Sequence, residues 1–233
     1  MDKSSRVVAR DPQDLARQAA LWIGQRITGS SKPFRLVLSG GTTPLPLFDA
    51  LVEEEIPWDR VEFFWADERV VRWDDPASNY GNAYRHLLSR LDLARDHIHP
   101  MATESNAVDG AKRYEGMLHR AYGGTDLDPA RPLFNLVLLG LGENGHIASL
   151  FPGNPVLDER KRWVAPVLGQ ALPRITLTYP ALESSAHVVF YVTGVQKRDA
   201  VRKVLSGDNA MPAARLRPRG QTLWFLDAAA AGA

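Results

Sequence analysis

Leu133–Gly153, LFNLVLLGLGENGHIASLFPG, carries the reading that decides the fold. Its first seven residues, Leu133–Leu139, are almost continuously apolar, the pattern of a strand buried on both faces of a sheet. Shorter runs of the same kind stand at Phe34–Leu38, Val61–Ala66, Arg174–Thr178, His187–Thr193 and Thr222–Leu226. Helical spacing fills the intervals. Asp11 and Pro12 read as an N-cap and first helical residue, followed by a stripe of Leu15, Ala19, Trp22, Ile23 and Ile27. Further helical patterns cover Leu45–Val52, Asn79–Leu91, Ala107–Tyr122 and Val195–Leu205. Strands alternating with helices predict an α/β fold: a doubly wound, mostly parallel sheet with helices on both faces. With no internal repeat and no long linker, residues 1–233 read as one domain. Residues 1–5 and the tail AAAAGA (228–233) are expected to fray.

Composition narrows the partners. The chain carries 28 Lys+Arg against 27 Asp+Glu, a net charge of +1, so nothing in its balance points to nucleic acid or a membrane surface. A small anion remains compatible, since it needs only two or three local cations. The absence of cysteine excludes disulfides, thiolate catalysis and zinc–thiolate sites. The N-terminal MDKSSRVVARDPQD has no apolar run behind its charges, so no secretory signal is read there. The longest apolar stretch, LFNLVLLGLG, falls short of the ~20 residues of a membrane span. The expected location is the cytoplasm, and a monomer is the default at this size.

Ligands of doubly wound sheets bind beyond the carboxyl ends of the strands. The residues there are Ser39, Gly40, Gly41, Thr42 and Thr43, then Asp67, Glu68 and Arg69, then Gly140 to His146, then Gly194 with Lys197 a turn later. SGGTTP (39–44) opens a helix. Its glycines permit close backbone approach, and its hydroxyls and free N–H groups suit a phosphate. A plain helix cap with a tight turn fits the same residues. Gly140–Gly145 spells GxGxxG after a strand, but Pro152 and Gly153 leave little room for the helix that a dinucleotide fingerprint requires. His146 ends that loop. An imidazole there is placed to take a proton from water. His97 and His99 lack a third metal ligand at an informative spacing. Asp67 is a carboxylate able to project into the cleft, and Arg174 and Lys197 are cations suited to a phosphate.

LSGGTTPLPLF (38–48), FFWADERVV (63–71), SNYGNAYRHLL (78–88), LLGLGENGHIASLFPG (138–153), PRITLTYPAL (173–182) and VTGVQKRDAV (192–201) together resemble the 6-phosphogluconolactonase family of the glucosamine/galactosamine-6-phosphate isomerase superfamily. The resemblance runs from about Val7 to Leu226. It implies a Rossmann-type fold and hydrolysis of 6-phospho-D-glucono-1,5-lactone in the oxidative pentose phosphate pathway, with a sugar phosphate as partner and no metal or organic cofactor. By the same resemblance, His146 is the general base and Asp67 lies in the catalytic pocket. Ser39, Gly40, Gly41, Thr42, Thr43, Gly145, Arg174 and Lys197 bind substrate or phosphate, with Arg69 close by. Asn144 stands where the family usually carries Asp, as a supporting residue, and Ile147 where lactonases commonly carry Thr. The related deaminases follow this His with a Glu, whereas here the stretch is Ser149-Leu150-Phe151-Pro152. A glucosamine-6-phosphate deaminase and a non-catalytic sugar-phosphate binder are the competing functions.

Overall fold

The computed structural model describes residues 4–31 and 33–233. In chain order its strands are β1 (Ser4–Ala9), β2 (Phe34–Leu38), β3 (Val61–Trp65), β4 (Asp67–Arg69), β5 (Phe134–Leu139), β6 (Val164–Val167), β7 (Arg174–Leu177), β8 (Ser185–Val192) and β9 (Gln221–Asp227). Its α-helices are α1 (Pro12–Thr28), α2 (Leu45–Val52), α3 (Asn79–His86), α4 (Ala107–Tyr122), α5 (Tyr179–Glu183), α6 (Arg198–Leu205), α7 (Pro212–Arg215) and α8 (Ala228–Ala231). Six strands form an all-parallel sheet in the order β1-β9-β8-β5-β2-β3. The apolar run of β5 lies centrally, with Leu136, Val137 and Leu139 fully buried. Among the described residues the buried apolar side chains, Ala16 aside, join in one cluster.

Local chemistry sets the helix ends. Asp11 caps α1, its carboxylate accepting the Asp14 N–H at 2.8 Å, and Pro12 occupies the first turn. Ser78 caps α3 by accepting from Gly81 N–H at 3.0 Å. The helix expected over 79–91 stops at His86, because Leu87 leaves helical geometry (φ −132°, ψ −68°) before a short 3₁₀ turn at Leu88–Arg90. Likewise Val195–Lys197 is a 3₁₀ turn ahead of α6.

Three expectations change. Arg174–Leu177 leaves the parallel sheet and pairs antiparallel with β4 and β6 in a separate three-stranded sheet ordered β4-β7-β6. Asp67-Glu68-Arg69 is therefore a strand, reached because the chain crosses at fully buried Ala66, whose N–H bonds Leu38 O at 2.9 Å and whose carbonyl accepts from Leu177 N–H at 2.8 Å. β6 contains Pro166, which an edge strand tolerates because one side of its backbone needs no partner. The C-terminal tail is not frayed through Ala231: Asp227 caps α8 by accepting from Ala230 N–H at 2.7 Å, and Ala230 is fully buried. At the other end, Ser4 and Ser5 pair with Thr222 and Leu223 in β1, while residues 1–3 of the expected frayed stretch lie outside the described residues.

The topology creates a crevice. β2 leads through α2 outward to β3, whereas β5 connects on to β8 on its other side, so their carboxyl-end loops diverge at the β2–β5 boundary. Ser39 Oγ accepts from Gly140 N–H at 3.2 Å across that boundary. The small antiparallel sheet forms the opposite wall through Asp67, Arg69 and Arg174.

Candidate active site

The crevice is a cleft of about 160 Å³ lined by glycine-rich backbone and by Asp67, Arg69, His146, Arg174 and Lys197. Roomier grooves exist, one of about 620 Å³ beside Arg72, Trp73 and Glu104. None of them joins an imidazole to three cations and glycine-rich backbone, so chemistry rather than size locates the site.

His146 arrives on a loop shaped for its ring. A β-carbon on Gly142 would lie 2.0 Å from His146 Nδ1, so only glycine leaves the ring its place. Gly145 has φ +78° and sits against Met211, with its carbonyl accepting from Ala213 N–H at 2.9 Å. Ala148 is the one non-glycine residue with positive φ (47°) among the described residues, a backbone cost of roughly 1–2 kcal/mol held by the surrounding loop. Asn144 Oδ1 stands 2.6 Å from His146 Nδ1 and also accepts the His146 backbone N–H at 3.2 Å. A carboxamide oxygen only accepts, so Nδ1 carries the proton and Nε2 is the basic nitrogen. The Phe151 ring packs on the imidazole with centroids 4.6 Å apart. Burial, with Arg174, Lys197 and Arg69 nearby, pulls the His146 pKa down to about 4, against the opposing charge of Asp67. The imidazole is thus neutral and proton-accepting at pH 7.

Asp67 is 5% exposed yet has a full set of partners. Its Oδ2 accepts from Ser149 Oγ at 2.5 Å and faces Arg174 Nη1 at 3.6 Å, while Oδ1 accepts from Asn79 Nδ2 at 3.1 Å. Glu68, 1% exposed, points away and accepts from Ser78 Oγ and the backbone N–H groups of Arg69, Asn79 and Tyr80. Burial raises its pKa, partly offset by those bonds. Its role is to anchor the start of α3.

The cations are unusually arranged. Arg69 and Arg174 lie directly opposite in the β4–β7 register, a like-charge pair that costs stability unless an anion lies between them. The Nε groups of both are buried without a hydrogen-bond partner. Burial, the largest influence, lowers the Arg174 pKa, and its guanidinium lies 5.3 Å from the Phe151 ring centroid. Lys197 reaches the cleft from the turn after β8, where Gly194 (φ +95°) has its N–H held by Asp227 at 3.0 Å. Lys197 Nζ has Glu143 as a distant partner at 3.9 Å. Facing glycine-rich loops and one buried carboxylate, such cations are arranged to receive an anion.

The cleft brings together Ser39, Gly40, Gly41, Thr43, Asp67, Arg69, His146, Arg174 and Lys197. Three expected residues stand outside the lining: Asn144, which bears on the cleft through His146, and Thr42 and Gly145. Thr42 is exposed outside the lining, because its carbonyl turns to accept Leu45 N–H as α2 begins. Gly145 supplies loop geometry rather than a contact with the cleft. Sequence reasoning missed Ser149 and Asn79, ordinary polar residues whose significance appears only when β4 brings Asp67 against them. The GxGxxG segment is followed by turns and a 3₁₀ stretch at Pro155–Asp158, not by the α-helix of a dinucleotide site. His99 stacks on Phe64 and His97 Nδ1 contacts Val61 O, so both serve packing. Among the described residues no group of three or more His, Asp or Glu is placed to hold a metal ion. No described helix is long and apolar enough to cross a membrane.

Residues 10–224 match the family model described as glucosamine-6-phosphate isomerases/6-phosphogluconolactonase. The chain belongs to this family. A 6-phosphogluconolactonase of Nostoc sp. is 39% identical over 202 residues, covering 84% of this chain and 83% of that protein. One of Rattus norvegicus is 35% identical across 96% of this chain and 91% of its own length. The solved 6-phosphogluconolactonase of Thermotoga maritima superposes with a TM-score of 0.83 at 29% identity, over 96% of this chain and 99% of that one. A monomeric glucosamine-6-phosphate deaminase shares the fold with a TM-score of 0.81 at 21% identity, over 100% and 99% of the two chains.

Proposed function

We propose that the protein hydrolyses 6-phospho-D-glucono-1,5-lactone to 6-phospho-D-gluconate in the oxidative pentose phosphate pathway, acting as a cytoplasmic monomer with His146 as general base. The observation that carries this reading is the neutral imidazole fixed by Asn144 at 2.6 Å inside a cleft that also presents Arg69, Arg174 and Lys197. The names of the relatives at 35–39% identity support the same substrate.

In this mechanism the three cations hold the 6-phosphate, with the 39–43 loop lending backbone N–H groups and the Thr43 hydroxyl. That grip fixes the ring so that C1 lies within reach of a water activated by His146 Nε2. The water oxygen adds to C1 as its proton passes to Nε2. The tetrahedral oxyanion collapses, the C1–O5 bond breaks, and the imidazolium returns its proton to O5; the new carboxylic acid then ionises. Asp67, held by Ser149 and Asn79, stabilises the transient imidazolium and steadies Arg174. The deaminase reading fits less well, because the positions after His146 hold buried Leu150 and the Phe151 ring packed on the imidazole, not an acid.

The test is release of 6-phosphogluconate above the spontaneous background, beside ammonia release from glucosamine 6-phosphate. The lactonase reading expects the first and not the second. In His146→Ala, kcat should fall by about 10²–10⁴-fold with KM little changed. Arg174→Ala and Lys197→Ala should instead raise KM. Near-native turnover in His146→Ala would sink the assignment of the base, and unchanged KM in both cation variants would sink the phosphate grip.

A further inference from the structure

Asn79, the first residue of α3, is 1% exposed and bears on both halves of the cleft. Its Nδ2 donates to the Asp67 backbone carbonyl at 2.8 Å and to Asp67 Oδ1 at 3.1 Å. Two oxygens on that side require the amide to turn its N–H groups toward them, which fixes which end is which. The other face of the amide lies flat on the anion loop: a β-carbon at Gly40 would come within 1.9 Å of Asn79 Oδ1 and 2.1 Å of its Cγ. Oδ1 is buried there with no hydrogen-bond partner, so the contact is made at a cost that an ordinary core residue would avoid. The amide itself cannot drift, because Glu68 Oε1 accepts the Asn79 backbone N–H at 2.8 Å and Glu68 Oε2 accepts from Ser78 and Tyr80.

We propose that Asn79 is a positioning residue that ties the Asp67 carboxylate to the Gly40 backbone, setting the distance between the base-supporting wall and the phosphate loop. Gly40 lines the cleft with Ser39, Gly41 and Thr43 on one side, while Asp67 lines it with Arg69 and Arg174 on the other. One buried carboxamide spans from the first group to the second. The inference rests on the lactonase reading for its kinetic arm, but its binding arm stands without it.

Two variants test the tie. Asn79→Asp keeps the shape but sets a second carboxyl oxygen against Asp67, so the pair must share a proton or separate. Asn79→Leu keeps the bulk and removes the hydrogen bonds altogether. Asn82→Asp, which adds the same charge at a half-buried position on the same helix outside the cleft lining, is the control. Lactone hydrolysis gives kcat and KM, calorimetry gives the affinity for inorganic phosphate, and thermal unfolding reports folding. We expect both Asn79 variants to lose on the order of tenfold in kcat and in phosphate affinity, the scale of one hydrogen bond to a charged group. Asn79→Asp should recover part of its loss as pH falls from 8 to 5 and the carboxyl pair takes up a proton, whereas Asn79→Leu should not. The control should match the parent protein. A loss of melting temperature with native kcat and native phosphate affinity would make Asn79 a filler and overturn the proposal. A kcat loss with unchanged phosphate affinity would overturn the link to Gly40. If the parent protein itself fails to hydrolyse the lactone, the lactonase reading fails, and the phosphate and unfolding measurements still decide the role of Asn79.

Discussion

Replacing Asn144 by Asp puts a charge where the structure has only a dipole. Asn144 Oδ1 lies 2.6 Å from His146 Nδ1, so a carboxylate there would sit about 4 Å from the centre of the imidazolium charge. Two unit charges at that distance attract by about 1 kcal/mol in water and about 4 kcal/mol at an effective dielectric of ~20. Asn144 is exposed, so solvent screening keeps the gain near the lower figure, about 1–2 kcal/mol. At ~1.4 kcal/mol per pH unit, His146 should move from about 4 to roughly 5. In the proposed mechanism the neutral imidazole is the active form, so the acid limb of kcat/KM should move upward by the same interval in Asn144→Asp. Plateau turnover should rise a few-fold with the stronger base. The assay is an NMR titration of the His146 ring, run with initial rates over the same pH range. A parent His146 titrating at or above its ordinary value would refute the account of burial and facing cations. A limb that stays in place in the variant would refute the Asn144 contact.

The remaining predictions probe the frame around that base. Gly142→Ala should displace the ring from the position it shares with the absent β-carbon, lowering kcat by about 10²-fold with native circular dichroism; retained turnover would show that the loop gives way instead. Arg69→Gln should relieve the like-charge pair with Arg174 and raise the melting temperature of the ligand-free protein, while shrinking the further rise on adding inorganic phosphate; a lower melting temperature would mean that the Arg69 bond to Ala77 O outweighs the repulsion. His146, His99 and His187 all have pKa values depressed chiefly by burial, so the folded state holds fewer protons than the unfolded chain. Stability should therefore be full above about pH 6.5 and decline as pH falls toward 4, with the His146 part of that slope absent in His146→Ala. Denaturant titrations across that range check it.

The parallel sheet was legible because its strands are short apolar runs: β2, β3, β5, β8 and β9 each stand out by composition alone. β1 did not, since its SSRVVA half-faces solvent at an edge, with Val8 50% exposed. The small antiparallel sheet was partly hidden, for a different reason: β7 was read as a strand at Arg174–Thr178 but in the parallel sheet, and β4 and β6 were not read as strands. Its strands are three or four residues long, carry charges or a proline, and acquire strand geometry only by pairing with one another. In the site, residues at strand ends announced themselves, and His146, Asp67 and the cations do meet in one cleft. Ser149 and Asn79 gave no such signal. A buried Ser or Asn becomes informative only through its partner, and Asp67 lies 82 residues from one and 12 from the other.

Under the proposed mechanism, Asn144 and Asp67 divide between them the two tasks of supporting a base at His146. A base that must be neutral at pH 7 needs an acceptor at Nδ1 to fix its tautomer, and a carboxamide supplies that without drawing a proton onto the ring. Stabilising the imidazolium that forms during the reaction is a separate task, and it can be met from farther away. In the proposed mechanism Asp67 meets it, since its charge favours protonated His146 while Ser149, Asn79 and Arg174 hold the carboxylate in place. Burial chiefly, and then Arg174, Lys197 and Arg69, push the other way and favour the deprotonated ring; a dianionic phosphate docked in the proposed site would offset the charge of the cations. Proton affinity at Nε2 should therefore rise when the phosphate docks, so that the base is strongest with substrate in place.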